Sequence, residues 1–178
     1  MDRTATILAQ AIEAVCPVVS VVIGDPIDRA TWHAAFAEVA TNQQREAAAR
    51  VLATFDPTAP TTADVNVERD RRLRQFPFAG RPFDFVNGRG SDINITGAGT
   101  LALAAIIGGH GGTLRWVDPG ADFMWIAADN TSVPMDAETC LAFAQAAASW
   151  KARHVVRARA LKETVPIPAD YADDARWA

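Results

Sequence analysis

A long alanine-rich segment near the C-terminus restricts the fold more than any other part of the chain. Its residues favour a helix that begins after Asp136 and ends near Glu163. Asp136 is a suitable N-cap, Glu138 complements the helix dipole, and Pro166 and Pro168 follow the end. Apolar residues lie on several faces of this helix, which is typical of burial on several sides. The pattern leaves open whether one domain or a partner covers those faces.

Two aromatic-rich segments precede this helix and predict a pair of β-strands. Leu114–Val117 and Phe123–Asn130 flank the turn-forming residues 118–120. Because side chains alternate along a strand, the aromatic residues of these segments cannot all point to one face of a small sheet. We therefore expect some of them to be exposed or to meet another chain.

The middle of the chain predicts two further helices and an aromatic hairpin. Val65–Gln75 is a polar helix, and Phe76–Phe85 alternates around the turn residues Ala79-Gly80. Ile95–Ile107 is an apolar helix. Acidic and basic residues spaced by four stabilise the polar helix, and the pairs are Glu68 with Arg72 and Asp70 with Arg74.

The N-terminal part predicts a helix, a hairpin and a second helix. Thr4–Val15 carries an apolar stripe at helical spacing, and Val18–Ile23 is a β-branched strand. Thr31–Phe36 alternates and pairs back as a second strand, although its alanines equally allow a helix. Thr41 and Gln44 form a capping box that starts the next helix.

These elements predict an α+β protein of two parts. Residues 1–56 form an attachment module of a helix and a β-hairpin-helix, residues 57–64 a linker rich in Pro, Thr and Ala, and residues 65–178 an α+β domain. The chain has 178 residues, of which 49% are hydrophobic, so a buried core is expected.

Charge and composition argue against several classes of function. The net charge of −4 disfavours binding to nucleic acid or to an anionic membrane, since both require a positive field. No apolar run approaches the roughly 20 residues of a membrane span, and polar residues interrupt the first helix, which argues against a secretory signal. Cys16 and Cys140 lie in unrelated segments, which favours two reduced thiols over one disulfide.

The residues with chemical potential are scattered. The glycine-rich segment 87–99 lacks the Gly-Lys-Ser/Thr ending of a phosphate loop, so turns and close helix packing explain it better. His33, His110 and His154 lack the spacing of metal ligands, and turn and cap roles account for the aspartates at 122, 129 and 136. We predict no catalytic residue, no metal site and no cofactor.

Several motifs form recognisable groups in the second half of the chain. They are Val67–Arg72 with Phe76–Gly80 and Phe83, Asp92–Ala98, Trp125–Thr131 with Val133–Ala137, Ala158–Lys162 and Ile167–Tyr171. Together they make residues 65–175 resemble a family of small domains found in phage and prophage tail proteins, often encoded beside tail-fibre genes. Residues 23–56 are similar to short modules that precede this domain in tail-fibre proteins. The resemblance implies a structural or assembly role and no catalytic residues.

We therefore predict a non-enzymatic structural component of a phage tail, in the fibre, tail tip or baseplate, that acts by protein–protein assembly and host attachment. The expected partners are other tail, baseplate or fibre proteins and further copies of the chain, for example in a trimer. The expected location is the virion tail, after assembly in the host cytoplasm. Two alternatives are a chaperone that caps the fibre tip and, more remotely, a glycan-acting enzyme using acidic groups such as Asp122 and Asp129.

The residues predicted to form contacts are aromatic side chains and the apolar stripe of the first helix, because aromatic residues dominate interface energetics. They are Ile7, Leu8, Ile12, Trp32, Trp116, Phe123, Trp125, Trp150 and Trp177.

Overall fold

The computed structural model describes residues 3–25 and 28–178, which fold into two compact units. The first unit comprises residues 1–59 and the second comprises residues 60–178. Five helices and three two-stranded antiparallel sheets confirm the predicted α+β class for the described residues. No helix in these ranges is long and apolar enough to cross a membrane.

The first unit contains two helices and one hairpin. Its elements are α1 (Arg3–Glu13), β1 (Val18–Ile23), a 3₁₀ turn (Arg29–Thr31), β2 (Trp32–Phe36) and α2 (Asn42–Thr54). β1 pairs antiparallel with β2, which confirms the strand interpretation of this region and shows that the helical alternative is wrong. Pro26, part of the segment similar to tail-fibre modules, lies outside the described residues.

The core of the first unit gathers side chains from both helices and the hairpin. Its buried members are Leu8, Ile12, Cys16, Trp32, Ala40 and Ala48. The predicted capping box at the start of α2 is confirmed, because Thr41 Oγ1 accepts from the Gln44 amide and Gln44 accepts from the Thr41 amide at 2.9 Å. The cap and the apolar faces together hold α2 in place.

The second unit contains three helices and two hairpins. Its elements are α3 (Thr62–Arg72), β3 (Gln75–Phe78), β4 (Arg81–Asp84), α4 (Ser91–Ile107), β5 (Met124–Ile126), β6 (Ser132–Pro134), α5 (Ala137–Glu163) and a 3₁₀ turn (Asp174–Arg176). α5 packs along both α4 and α3. The main core joins the aromatic hairpin to α4 and α5, and its largest fully buried side chains are Phe76, Phe83, Phe143, Ile95 and Met135.

α3 begins at Thr62, before the predicted start and inside the segment predicted as a linker. A second capping box explains the difference. Thr61 Oγ1 accepts from the Asp64 amide, and Asp64 Oδ2 accepts from the Thr61 amide at 2.8 Å. Aspartate takes the place usually held by Glu or Gln in this motif, which is why the sequence pattern hid the helix start.

One of the two predicted ion pairs along α3 forms. Glu68 binds Arg72 at 2.7 Å with both side chains largely buried. The prediction for the second pair is wrong, because Asp70 binds its neighbour Arg69 at 2.7 Å and forms no ion pair with Arg74 among the described residues. α3 ends at Arg72, so Arg74 lies beyond the helix and is not held one helical turn from Asp70.

The hairpin β3–β4 confirms the aromatic alternation. Phe76 faces Phe83 in the register. The turn residues Ala79 and Gly80 have φ angles of 48° and 76°, the left-handed backbone that a tight two-residue hairpin turn requires. Glycine reaches this conformation freely, whereas Ala79 is held there by the paired strands.

The predicted strand Leu114–Val117 is wrong. This segment is a loop, tied to the next aromatic segment by a 2.7 Å hydrogen bond from Phe123 N to Leu114 O. The one ladder contact nearby is an isolated bridge between Asp118 and Ala121. A single bridge closes the turn but does not align the two segments as strands.

The second aromatic segment forms the short strand β5, which pairs with β6 and places Trp125 opposite Val133. The predicted strand continued to Asn130, but Asn130 has a φ of 62° and lies in the turn between β5 and β6. Ala127 N donates to Thr131 O at 2.9 Å across that turn. Asparagine tolerates this left-handed backbone, and the turn that contains it begins after β5 ends at Ile126.

The two remaining helices differ in how well their starts were predicted. α4 begins at Ser91, before the predicted Ile95, and includes part of the segment assigned to a loop. α5 begins and ends as predicted: Asp136 accepts from the Thr139 amide at 2.7 Å, and the helix ends at Glu163. The side-chain cap explains the difference, because α5 has one and α4 does not.

Candidate interaction surfaces

α4 and α5 approach closely because small residues line their contact. A Cβ atom on residue 99 would lie 2.5 Å from the Cβ of Ala144, nearer than two non-bonded carbons can come. Gly99 therefore allows the helix distance that α4 adopts. Ile95 and Ala102 are buried with it, so the remaining side of α4 points away from the core.

That remaining side is an exposed surface, which we call the α4 face. It consists of Ile93, Gly97, Thr100, Leu101, Ala104 and Ile107. The exposed fractions of Ile93, Leu101 and Ile107 are 73%, 60% and 80%. Positions 93, 97, 100, 104 and 107 follow the alternating four- and three-residue spacing of a helix–helix seam. The α4 face thus has the pattern of a helix contact but no partner within the described residues.

Two threonine hydroxyls, one on the α4 face and one beside it, are bonded within the helix. Thr96 Oγ1 donates to Asp92 O at 2.9 Å, and Thr100 Oγ1 donates to Thr96 O at 3.0 Å. Asp92, in the first turn, is the one charged residue of α4. The α4 face is therefore apolar in character although it contains Thr100.

A groove of about 460 Å³ continues this surface toward α5. Its apolar lining includes Phe85, Ile93 and Ala148. Lys151 Nζ lies 3.5 Å from a carboxylate oxygen of Asp92 and 5.8 Å from the centre of the Phe85 ring. A partly exposed ion pair thus borders an apolar depression, which suits an apolar side chain flanked by polar groups.

The predicted aromatic contact residues form a chain of rings at the edge of the main core. Ring centroids are 4.7 Å apart for Trp116 and Phe123, 6.2 Å for Phe123 and Trp125, and 5.1 Å for Trp125 and Phe143. Trp116 Nε1 donates to Met135 O at 2.9 Å. Trp116, Phe123 and Trp125 are all half-buried against the main core. Because Trp116 lies in a loop and not in a strand, the alternation of strand side chains does not force any of the three to the opposite face.

Trp150 and Trp177 enclose a buried histidine. The ring of His154 lies 4.2 Å from Trp150 and 5.9 Å from Trp177, and its Nδ1 lies 2.8 Å from Trp150 O. Burial lowers the pKa of His154, and the nearby guanidinium groups of Arg72 and Arg153 lower it further. Trp177 itself is 2% exposed, so it anchors the C-terminal segment, the residues that follow α5, within the second unit.

Arg72 joins α3 to this C-terminal segment. Its guanidinium lies 5.2 Å from the Trp177 ring, donates to Ala172 O at 2.8 Å and binds Asp174 at 2.9 Å. The Glu68 carboxylate binds the same guanidinium at 2.7 Å. Hydrogen bonds donated by Arg71 and Arg72 lower the pKa of the Glu68 carboxyl group. The sequence revealed only the helical pair, because the tail contacts lie about a hundred residues away.

The predicted contact residues of the first unit belong mainly to its core. Leu8 and Ile12 are fully buried, and Ile7 is half-buried on the same helix. Trp32 is 6% exposed, and its Nε1 donates to Asp25 O at 2.8 Å. Their role inside the unit is clear, and any contact with a partner stays a prediction.

The aspartates considered for chemistry have structural partners. Asp122 binds Arg115 at 3.0 Å, and Asp129 accepts from the Thr131 amide at 2.9 Å, which lowers the pKa of its carboxyl group. Burial raises the pKa of the Cys140 thiol to about 11. No three His, Cys, Asp or Glu side chains of the described ranges lie together as metal ligands would.

A sequence-family model described as a domain of unknown function (DUF4376) matches residues 56–176. No curated protein and no solved structure matches the chain. The family match covers the second unit from its first residue to residue 176, so it includes the α4 face, the groove beside it and the C-terminal residues up to Arg176.

Proposed function

The chain belongs, from residue 56 to residue 176, to the family of the DUF4376 domain of unknown function, and from the surfaces of that domain we propose that it is an assembly component of a phage or prophage tail. Its action is protein–protein contact in the fibre, tail tip or baseplate. The motifs of residues 65–175, which resemble phage-tail domains, support the setting in a tail. The proposal includes no catalytic step.

The α4 face is the observation that carries the proposal of a contact function. An apolar residue exposed singly is ordinary, but a continuous apolar helix side is typical of a surface that another chain covers. Ile93 and Ile107 lie at its two ends, and Gly97 and Ala104 lie between them. Large residues at the ends and small residues between them allow a second helix to approach closely.

A further copy of the same chain is the partner that this surface suits best. The α4 face carries no charged side chain, so it has no charge pattern that would select a different protein. Its heptad-like spacing supports packing of α4 on its equivalent in another copy, as in the homo-oligomers common among soluble assemblies. Contacts with other tail proteins then use the surfaces that remain.

The test is a mass-spectrometric inventory of gradient-purified virions, with copy number measured against the major tail protein. Phage or prophage carrying the wild-type gene, Leu101→Glu or Val156→Glu are compared. Leu101 is on the α4 face, whereas Val156 is equally apolar and 66% exposed on α5. Wild type and Val156→Glu are expected in the particle, and Leu101→Glu is expected to be depleted.

The outcomes separate the candidate functions. Equal incorporation of both variants overturns the role of the α4 face. Absence of the wild-type chain from particles, with the protein present in the lysate, overturns the structural role and favours the chaperone that caps the fibre tip. Circular dichroism of both purified variants verifies that the exposed substitutions leave the fold intact.

A further inference from the structure

A second surface lies in the first unit, where a groove of about 480 Å³ runs between α1 and β1. Four consecutive strand residues, Val18–Val21, line it together with Ala5, Ala9 and Glu13 of α1. Neighbouring side chains of a strand point to opposite faces of the sheet. Val21 packs against the core and Val19 is 74% exposed, so side chains from both faces of β1 line the groove, which therefore follows the edge of the strand.

The edge of β1 is open in the described part of the chain. β1 pairs with β2 in a two-stranded sheet, so its other edge carries backbone N–H and C=O groups without a strand partner. The register shift at Val19 bends the first positions, and Ser20–Ile23 continue in regular register. The regular part of the open edge therefore runs from Ser20 to Ile23, and two of its residues, Ser20 and Val21, also line the groove.

We propose that this groove binds an extended segment of a partner protein, which adds to β1 as a third strand. Backbone hydrogen bonds to the open edge bind an extended segment of any sequence. Ala5 and Ala9 leave room for small apolar side chains at alternate positions of that segment. Glu13, exposed at the end of α1, favours a basic residue near the end of the segment. A helix does not fit, because its backbone groups are already bonded within it.

This inference goes beyond assembly through the α4 face, since it concerns the other unit and a different kind of partner. A two-stranded sheet is marginal by itself, and a third strand completes a more stable arrangement. The exposed fractions of Val19 and Val22, 74% and 54%, add apolar surface beside the edge. An extended segment with small apolar residues and a lysine or arginine at its end has the matching chemistry.

The test uses the full chain and a fluorescein-labelled peptide of alternating valine and threonine with a lysine at each end, followed by fluorescence anisotropy. Two further peptides carry N-methyl groups on odd or on even residues. Because alternate N–H groups of a strand point to one edge, one methylated set should abolish binding and the other should leave it. Equal effects of the two sets, or no saturable binding, overturn the proposal.

Charge reversal supplies the matched control. Glu13→Lys should weaken binding of the lysine peptide and strengthen binding of a peptide with glutamates in those places, whereas Glu46→Lys, an exposed change on α2, should alter neither. The same response of both variants overturns the assignment to this groove. A dimer through β1 that excludes the peptide also overturns it. None of these results alters the incorporation of Leu101→Glu into virions, which tests the α4 face alone.

Discussion

Gly99 of α4 and Ala144 of α5 are in such close contact that one methyl group would not fit between them. The Cβ of any residue replacing Gly99 would lie 2.5 Å from the Cβ of Ala144. The same helix contains Gly97, whose Cβ would meet nothing within 4 Å. Two glycines two residues apart thus serve different purposes, one on the packed side of α4 and one on its exposed side.

Gly99→Ala should destabilise the protein by about 1–3 kcal/mol, because the added methyl group forces the helices apart. This loss occurs although alanine is the better helix former. Gly97→Ala should stabilise the protein by up to about 1 kcal/mol, the difference in helix propensity. Chemical denaturation of both variants measures the change, and equal signs for the two would contradict the packing described for α4 and α5.

Trp177→Ala should destabilise the second unit by about 3–5 kcal/mol, the usual cost of removing a buried large aromatic side chain. The indole packs on His154 and donates from Nε1 to Tyr171 O at 2.7 Å, so its removal frees the C-terminal segment. Limited trypsin digestion should then cleave after Lys162 sooner. Val165→Ala, at a residue 91% exposed, should change neither stability nor cleavage.

Acidification should destabilise the second unit through His154. Burial holds the pKa of its imidazole below the ordinary 6.5, so the unfolded chain binds this proton more readily than the folded one. The stabilisation provided by neutral His154 is complete above pH 6.5 and is lost as the pH falls from there toward the folded-state pKa. In that range the free energy of unfolding decreases by at most about 1.4 kcal/mol per pH unit through this group.

Denaturation at pH 7.5 and 5.5 measures this effect. His154→Gln should flatten the pH dependence in that range, because glutamine does not titrate. His110→Gln, at an exposed histidine, should leave the slope as it is in the wild type. An unchanged slope in His154→Gln would exclude this histidine as the source.

Cys140 should be inert toward thiol reagents in the folded protein. Its side chain is fully buried, and burial raises the thiol pKa to about 11, so little thiolate forms near neutral pH. Incubation with Ellman's reagent at pH 8 should leave Cys140 unmodified, and modification should follow addition of denaturant. Mass spectrometry locates the label, and rapid labelling of native Cys140 would contradict its burial.

Local sequence signals predicted much of the fold. The capping box at Thr41, the cap at Asp136 and the aromatic alternation around Ala79-Gly80 each act within a few residues. Such interactions are complete within a short segment, so the sequence alone specifies them. The long helix α5 and the first hairpin were predicted for the same reason.

Contacts between distant segments were not predictable in this way. Trp116 leaves the expected strand because it bonds to Met135, and Arg72 binds a segment about a hundred residues away. The α4 face could not be predicted from the sequence for a different reason. α4 is apolar nearly all round, so periodicity does not distinguish its exposed side from the side where Gly99 meets α5.

The internal hydrogen bonds of Thr96 and Thr100 have a consequence for the speed of association. Water bound to a hydroxyl donor must be removed before another surface can cover that hydroxyl, and this removal slows productive encounters. The hydroxyl donors of Thr100 on the α4 face and of Thr96 beside it are already engaged with helix carbonyls, so neither donor has to give up a water before a partner covers it. The rate at which the α4 face finds a partner is then limited by orientation, the ordinary constraint on docking two specific patches.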